Sequence, residues 1–559
     1  GGGRGASAAP LGGGLMIFRL AQPRLLLRHC LSRPLLNARL FGGRRGARGL
    51  TMVFGRGMDV ETIEQKVAEY RNGEFSLKAF ACALPEVPQT QVFSNADCAL
   101  QHIKHYGFDY DFTLATYNKE LPILIYDLAK SHLVEKLGYP SEVADLEYDP
   151  KFAIRGLHID KETGLLIKLD QYNKIFTPIY RGRTPVTTAE TVREYGGLRV
   201  SRSYVQKNLH MMKDLFALPE ACLYADVLDL LIHTNQSFVP SYVVSDIRRA
   251  IGFTHETELL HKTIARNPAK FLDPNPDLVK YLMRLRSAER SVFLLTNSPF
   301  YFVDAGMRYL IGDQLQELNL PSWTHLFDVV VVNAQKPGFY HSTHKFRKMN
   351  ADGSLSLQPV EAFERGEVYT GGGLDEFHRL TGYRESNVIY MGDQIYSDLV
   401  EPQRATQWKT AAIIKELSHE VTRMNELGFR EDLASLLFVE RLVSEAQVHP
   451  ELEEIIEWLK TERSQLRIKL KHAVNGYFGS TFRTSTARTA FFYNVGRYAD
   501  IYTSSVNNFL NFPVDYCFYA SRSFFPHEAR LSSPETIMYH YCLTNPESMM
   551  PVNRESNND

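Results

Sequence analysis

Gly107-Phe-Asp-Tyr-Asp-Phe-Thr-Leu-Ala-Thr-Tyr117 sets two carboxylates, Asp109 and Asp111, two residues apart behind a short apolar run. The period-two geometry of a strand sends both toward one side, and the turn that follows exposes them. Such a pair can divide labour: one carboxylate attacks an electrophile while its neighbour moves a proton. A divalent cation would ease the approach of an anionic phosphate to such a pair, and oxygen ligands suit Mg²⁺. Taken alone, the pattern also fits an Asp-rich surface turn.

Three further stretches share its form, a short apolar run closing in polar residues. Phe293-Leu-Leu-Thr-Asn-Ser-Pro299 offers Thr296 and Asn297, a hydroxyl and an amide able to donate to a phosphoryl group, or else a helix N-cap. Val329-Val-Val-Val-Asn-Ala-Gln-Lys-Pro337 ends in Lys336, which can neutralise charge shared by a phosphate and its nucleophile, or can be a solvated loop cation. Val388-Ile-Tyr-Met-Gly-Asp-Gln-Ile-Tyr-Ser-Asp398 offers Asp393 as a metal ligand with Asp398 as its supporting carboxylate, or an acidic helix start.

Working outward, buried strands are predicted at Ser291–Thr296, Phe327–Asn333, Asn387–Met391 and Thr410–Ile414, with helix-compatible sequence between several of them. That alternation predicts an α/β fold with a parallel sheet whose strand ends carry the site. Helical spacing runs from Glu120 to Leu137 and closes at Gly138-Tyr-Pro140, while Phe152–Leu169 reads as a hairpin turning at Asp160–Gly164. Residues 59–199 and 291–430 are assigned to two parts of the core, 200–290 to a helical cap, and 431–559 to a helical C-terminal region.

The chain has 559 residues and a net charge of -1, so no global field recruits nucleic-acid polymers or anionic membranes. Its six cysteines show no metal-binding or disulfide-framework spacing, and no apolar run reaches the roughly 18 residues of a spanning helix. Residues 1–58 contain arginines but no Asp, Glu or Lys. Such a leader reads as a mitochondrial presequence or a disordered basic tail, with a cytoplasmic location as the alternative.

The four motifs, in this order, resemble those of the haloacid dehalogenase superfamily. More narrowly, the chain resembles the cytosolic purine 5′-nucleotidases and their 5′-nucleotidase domain-containing relatives. That likeness includes Phe216-Ala-Leu-Pro-Glu220, Gly371-Gly-Gly373, Phe478-Gly-Ser-Thr-Phe-Arg483, Arg497-Tyr-Ala-Asp-Ile-Tyr502 and Phe525-Pro-His-Glu528. It implies a Rossmann-like parallel sheet with a helical cap insertion and a helical C-terminal extension. It also implies a Mg²⁺-dependent phosphomonoester hydrolase acting on a nucleoside monophosphate or similar small phosphate, and a homo-oligomer.

By the same resemblance, Asp109 is the nucleophile that becomes an aspartyl-phosphate and Asp111 the proton donor and acceptor. Mg²⁺ would be held by Asp109, the Asp111 carbonyl and Asp393, with Asp398 supporting the metal shell. Thr296 and Asn297 would bind phosphoryl oxygens, and Lys336 would neutralise charge. Phe216 and His255 would sandwich a base, with Arg248 beside them.

Other base-reading positions depart from the family: Ala217 replaces an Asn, Gly252 an Asp, and His261 a Lys, with Lys262 adjacent. Lost hydrogen bonds of this kind weaken discrimination, which argues against specificity for inosine monophosphate. Two alternatives share the residues: a regulatory protein retaining a residual site, and a phosphotransferase with a nucleoside acceptor.

Overall fold

The computed structural model describes residues 58–73, 77, 81–82 and 85–522. The Arg-rich leader and Phe525-Pro-His-Glu528 lie outside the described residues.

Four of the sheet's strands are the apolar runs read from the sequence: Ser291–Leu295, Val329–Val332, Val388–Gly392 and Lys409–Ile413. Each is buried along nearly its whole length, the pattern of parallel strands covered on both faces. With the His105–Phe108 strand they form the middle of a nine-stranded sheet. Its order by first residue is 93, 501, 409, 388, 105, 291, 329, 368, 346. The strands between the two edges run parallel, while the edge strands Phe93–Ser94 and Phe346–Met349 pair antiparallel.

Parallel pairing brings the carboxyl ends of the 105, 291, 329 and 388 strands to one edge of the sheet. The ladder continues just past two of them: Asp109 N–H donates to the Met391 carbonyl at 2.9 Å, and Thr296 N–H to the Val331 carbonyl at 3.0 Å. The register that fixes the core therefore also fixes the start of each motif.

Two departures from the expected organisation concern the segments flanking that core. Residues 157–211, divided above between the first core part and the cap, build a second sheet of five antiparallel strands. It includes the predicted hairpin, Leu157–Asp160 paired with Leu165–Leu169. Both of those strands are buried throughout, so alternation could not reveal which face meets the core.

The region after 430 is helical at Leu427–Ala446 and Glu453–Val474, then returns a three-residue strand, Ile501–Thr503, to the central sheet. The two long helices pack against each other and, through Ile63 and Val67, against the Val60–Arg71 helix.

The cap centres on Leu218–His233 and Pro240–Glu256. Residues 219–228 are buried on every side of the first helix, which follows from its nearly continuous apolar sequence. Glu120–Leu137, with the predicted bounds and a left-handed Gly138 as C-cap, packs against both. No helix among the described residues is long and apolar enough to cross a membrane.

Candidate active site

The turn after the His105–Phe108 strand carries the first two carboxylates. Phe112 adopts φ +51°, a left-handed conformation unusual for so large a side chain. Its ring is held edge-on by Tyr117 and Phe216, each with centroids 5.0 Å away. This tight turn brings Tyr117 back over Asp111: the Tyr117 hydroxyl donates to Asp111 Oδ1 at 2.6 Å, and the Ser298 hydroxyl donates to Oδ2 at 2.5 Å. Burial pushes the Asp111 carboxyl up to about 6, with the Asp109 charge adding to the rise. The two hydroxyl bonds and Lys336 pull it back.

Lys336 is buried at the centre of the site. Its Nζ lies 3.1 Å from Asp109 Oδ1 and 2.8 Å from Asp398 Oδ1, and it donates to the Tyr390 hydroxyl at 2.7 Å. That hydroxyl donates in turn to the Leu295 carbonyl at 2.7 Å. Burial alone would lower the Lys336 ammonium, but Asp109 and Asp398 reverse the effect and hold it charged. Asn333 and Gln335, both at positive φ, turn the preceding loop. Asn297 then pins it, its amide donating to the Lys336 carbonyl at 2.8 Å and its oxygen accepting the Lys336 N–H at 2.6 Å.

Asp393 and Asp398 come from the turn after Val388–Gly392. Burial lifts Asp393 well above the ordinary carboxylate range; Arg155 opposes the rise, and Asp398, Asp109 and Asp214 reinforce it. A Cβ on Gly392 would stand 2.3 Å from Asp398 Oδ2, so only glycine lets this carboxylate fold back onto the turn. Asp398 accepts from both Lys336 Nζ and the Gln394 N–H, at 2.8 and 3.1 Å.

Asp109, Asp393 and Asp398 each offer a carboxylate oxygen, all within 4.8 Å of one another. Asp109 Oδ1 and Asp393 Oδ2 are buried without a hydrogen-bond donor, although each faces a cation off hydrogen-bonding geometry. Such a group of hard, anionic, under-donated oxygens fits a divalent cation.

The cluster opens into a cleft of about 460 Å³ lined by Asp109, Asp111, Asn297, Ser298, Lys336 and Asp393 at one end. His210, Phe216, Glu220, His255 and His261 line the other. Burial lowers both His255 and His261, the latter to about 4, leaving neutral imidazoles there.

The structure thus brings Asp109, Asp111, Lys336, Asp393 and Asp398 together. Four other expected residues sit differently. Thr296 is fully buried beneath the turn, where its hydroxyl oxygen accepts the Ser298 N–H at 3.2 Å. Phe216 and His255 meet edge to face, with centroids 6.0 Å apart and planes at 82°. A flat base between two rings needs parallel planes about 7 Å apart, twice a van der Waals contact, so these rings form no sandwich. Phe216 is held instead against Phe112 and Tyr117. Arg248 is half exposed and lies outside the cleft wall, 3.9 Å from Glu220.

Sequence reading also left Tyr117, Tyr390 and Arg155 without a role. Arg155 is 1% exposed and donates to the Asp393 carbonyl at 3.1 Å.

Comparison with known proteins follows the same span of chain. The model of the 5′ nucleotidase family matches residues 92–530. The chain belongs to the 5′ nucleotidase family. Its relatives include a 5′-nucleotidase domain-containing protein of Dictyostelium discoideum, 40% identical over 475 residues, or 84% of this chain and 80% of the relative. The 5′-nucleotidase domain-containing protein 2 of Homo sapiens is 35% identical over 452 residues, 79% of this chain and 85% of the relative. That of Rattus norvegicus is also 35% identical, over 79% of this chain and 80% of the relative. Family membership makes the chain a phosphohydrolase of the 5′-nucleotidase type, on a haloacid-dehalogenase-like fold.

Replacing Lys336 by Met would leave Asp109 and Asp398 buried without their shared cation. Urea denaturation in the absence of divalent cations is expected to show a loss of about 3–5 kcal/mol, the range for breaking a buried pair on one side. A change under about 1 kcal/mol would mean that Lys336 does not neutralise the cluster.

Proposed function

We propose that the protein hydrolyses a small phosphomonoester, a nucleoside monophosphate or a close analogue, through an aspartyl-phosphate on Asp109. The observation that carries this reading is the arrangement of Asp109 beside Lys336 with Asp111 held by two hydroxyls in the same cleft. An Asp109 oxygen attacks phosphorus, the ester P–O bond breaks, and Asp111 gives its proton to the leaving oxygen. Water then attacks the aspartyl-phosphate at phosphorus and loses a proton to Asp111, which releases inorganic phosphate and restores both carboxyls.

The two roles call for different environments. Asp111 needs a proton near neutral pH, and burial beside Asp109 raises its carboxyl accordingly. Asp109 must be anionic to attack, and the Lys336 ammonium lies 3.1 Å from its Oδ1. Lys336, Asn297 and Ser298 line the same cleft as Asp109 and would donate to phosphoryl oxygens there.

Asp109, Asp393 and, by family likeness, the Asp111 carbonyl would hold Mg²⁺, with Asp398 and Lys336 bracing them. The cation would supply charge neutralisation at the phosphoryl group. At the far end of the cleft, the neutral imidazoles of His255 and His261 and the Glu220 side chain would face the leaving group. A nucleoside there would lie along Phe216 rather than between two rings.

Phosphate release from a panel of nucleoside monophosphates and sugar phosphates, with Mg²⁺ supplied, tests the reading directly. Asp109→Asn should lose at least about 10³-fold in kcat, as removal of a nucleophile does. No release above that mutant on any substrate would reject the proposal.

The pH profile tests the role of Asp111. The Tyr117 and Ser298 hydroxyls stabilise its ionised form, so removing either raises its affinity for the proton. Activity that requires the protonated acid falls as pH rises through that titration. In Tyr117→Phe and Ser298→Ala the alkaline limb of kcat/KM should therefore move to higher pH. A limb unmoved, or moved downward, would assign the acid elsewhere.

A further inference from the structure

We infer that Arg155 and Glu416 are positioning residues that hold the Asp393 turn in register for a divalent cation and so set the cluster's affinity for it. The inference rests on the cation site proposed above.

Arg155 stands just before the Leu157–Asp160 strand, far from the four motifs in sequence, yet its side chain is fully buried against Asp393. Its Nη1 donates to the Asp393 main-chain carbonyl at 3.1 Å and passes the carboxylate at 3.6 Å. The distinction matters, because Asp393 Oδ2 has no hydrogen-bond donor. Arg155 therefore fixes the backbone of the turn while the carboxylate keeps its lone pairs for another ligand.

The rest of the guanidinium is held equally firmly. Nε and Nη2 donate to the two oxygens of Glu416, at 2.7 and 2.6 Å, in a bidentate fork. Phe491 lies under the guanidinium with its ring centre 4.8 Å away. Gly156, at φ +89°, lets Phe491 approach: a Cβ there would stand 2.7 Å from Phe491 Cβ.

Three separate parts of the chain thus converge on one side chain. Glu416 opens the Glu416–Asn425 helix that follows the Lys409–Ile413 strand, the direct neighbour of the Asp393 strand. Phe491 belongs to the Ala490–Tyr498 helix.

A buried ion pair of this kind adds little net stability, because desolvation offsets most of the attraction. Its geometry does something else. Five guanidinium donors can reach a carbonyl and two carboxylate oxygens at once, which an ammonium on a flexible stem cannot do in one fixed orientation. Outer partners that orient metal ligands commonly set metal affinity by about 10- to 100-fold.

The test is calorimetric titration of Mg²⁺ into metal-stripped full-length protein: wild type, Glu416→Gln and Arg155→Lys. Glu416→Gln keeps the shape but turns one acceptor into a donor against the guanidinium. Arg155→Lys keeps the charge and loses the fork. Both variants are expected to bind Mg²⁺ about 10- to 100-fold more weakly, with unchanged circular dichroism and with kcat recovering at high Mg²⁺. Affinities within about twofold of wild type would overturn the inference. Loss of kcat that high Mg²⁺ does not restore would overturn it too.

Should Arg155→Lys fail to fold, Glu416→Gln decides alone, since the Glu416 side chain is 22% exposed and its replacement leaves no cavity. A wild type that takes up no Mg²⁺ would remove the cation site and this inference together. A wild type that binds beside variants that bind equally well would remove only the inference.

Discussion

Asp109, Asp111, Asp393 and Asp398 are all drawn into one cluster at the carboxyl edge of a parallel sheet, and Lys336 and Arg155 are the cations set among them. At an effective dielectric of about 20, two unit charges 4.8 Å apart repel by about 3–4 kcal/mol, so the fold must oppose that repulsion to keep the cluster. Much of the surrounding structure can be understood as the means of doing so. Lys336 bridges two carboxylates, and Tyr390 and Asn297 hold Lys336. Two hydroxyls hold Asp111, and Arg155 grips the Asp393 main chain. With Glu416 also paired to Arg155, the carboxylates outnumber the two cations, an excess of negative charge that a divalent cation would offset.

This accounts for the way the modules are joined. The antiparallel sheet of residues 157–211 begins beside Arg155, so the segment that departs from the central sheet also sends its guanidinium back into the site. The cap does likewise: Phe216 packs against Phe112 and Tyr117, and Asp214 accepts from the Gln394 side chain at 3.1 Å. Lys415, beside Glu416, donates to the Tyr117 carbonyl. The helix that begins there thus touches the supports of both Asp111 and Asp393.

The clustering of the carboxylates and Lys336 was legible in the sequence because each of them lies within a few residues of a strand end. Strand register then determines where each motif begins, and four apolar runs were enough to find them. Tyr117 lay inside the first stretch, but nothing in its spacing announced a hydroxyl folded back onto Asp111; that return depends on the left-handed turn at Phe112.

Arg155 had a fainter signal, a charged residue between Ala153-Ile154 and Gly156-Leu157, where an inward-facing guanidinium needs a buried partner. Its partner Glu416 lies 261 positions away, beyond the reach of any local pattern. The edge-to-face meeting of Phe216 and His255 was equally hidden, because residue identity fixes that rings are present and packing fixes how they face. The strand at Ile501–Thr503 is too short for periodicity to register.

The covalent step proposed on Asp109 is the central claim. Its most direct measurement is acid quenching of a single turnover with phosphate-labelled substrate, borohydride reduction of the trapped acyl phosphate, and peptide mapping. The account predicts stoichiometric label that forms before free phosphate appears, and conversion of residue 109 to homoserine. Turnover with no protein-bound phosphate, or label mapped to another residue, would contradict it.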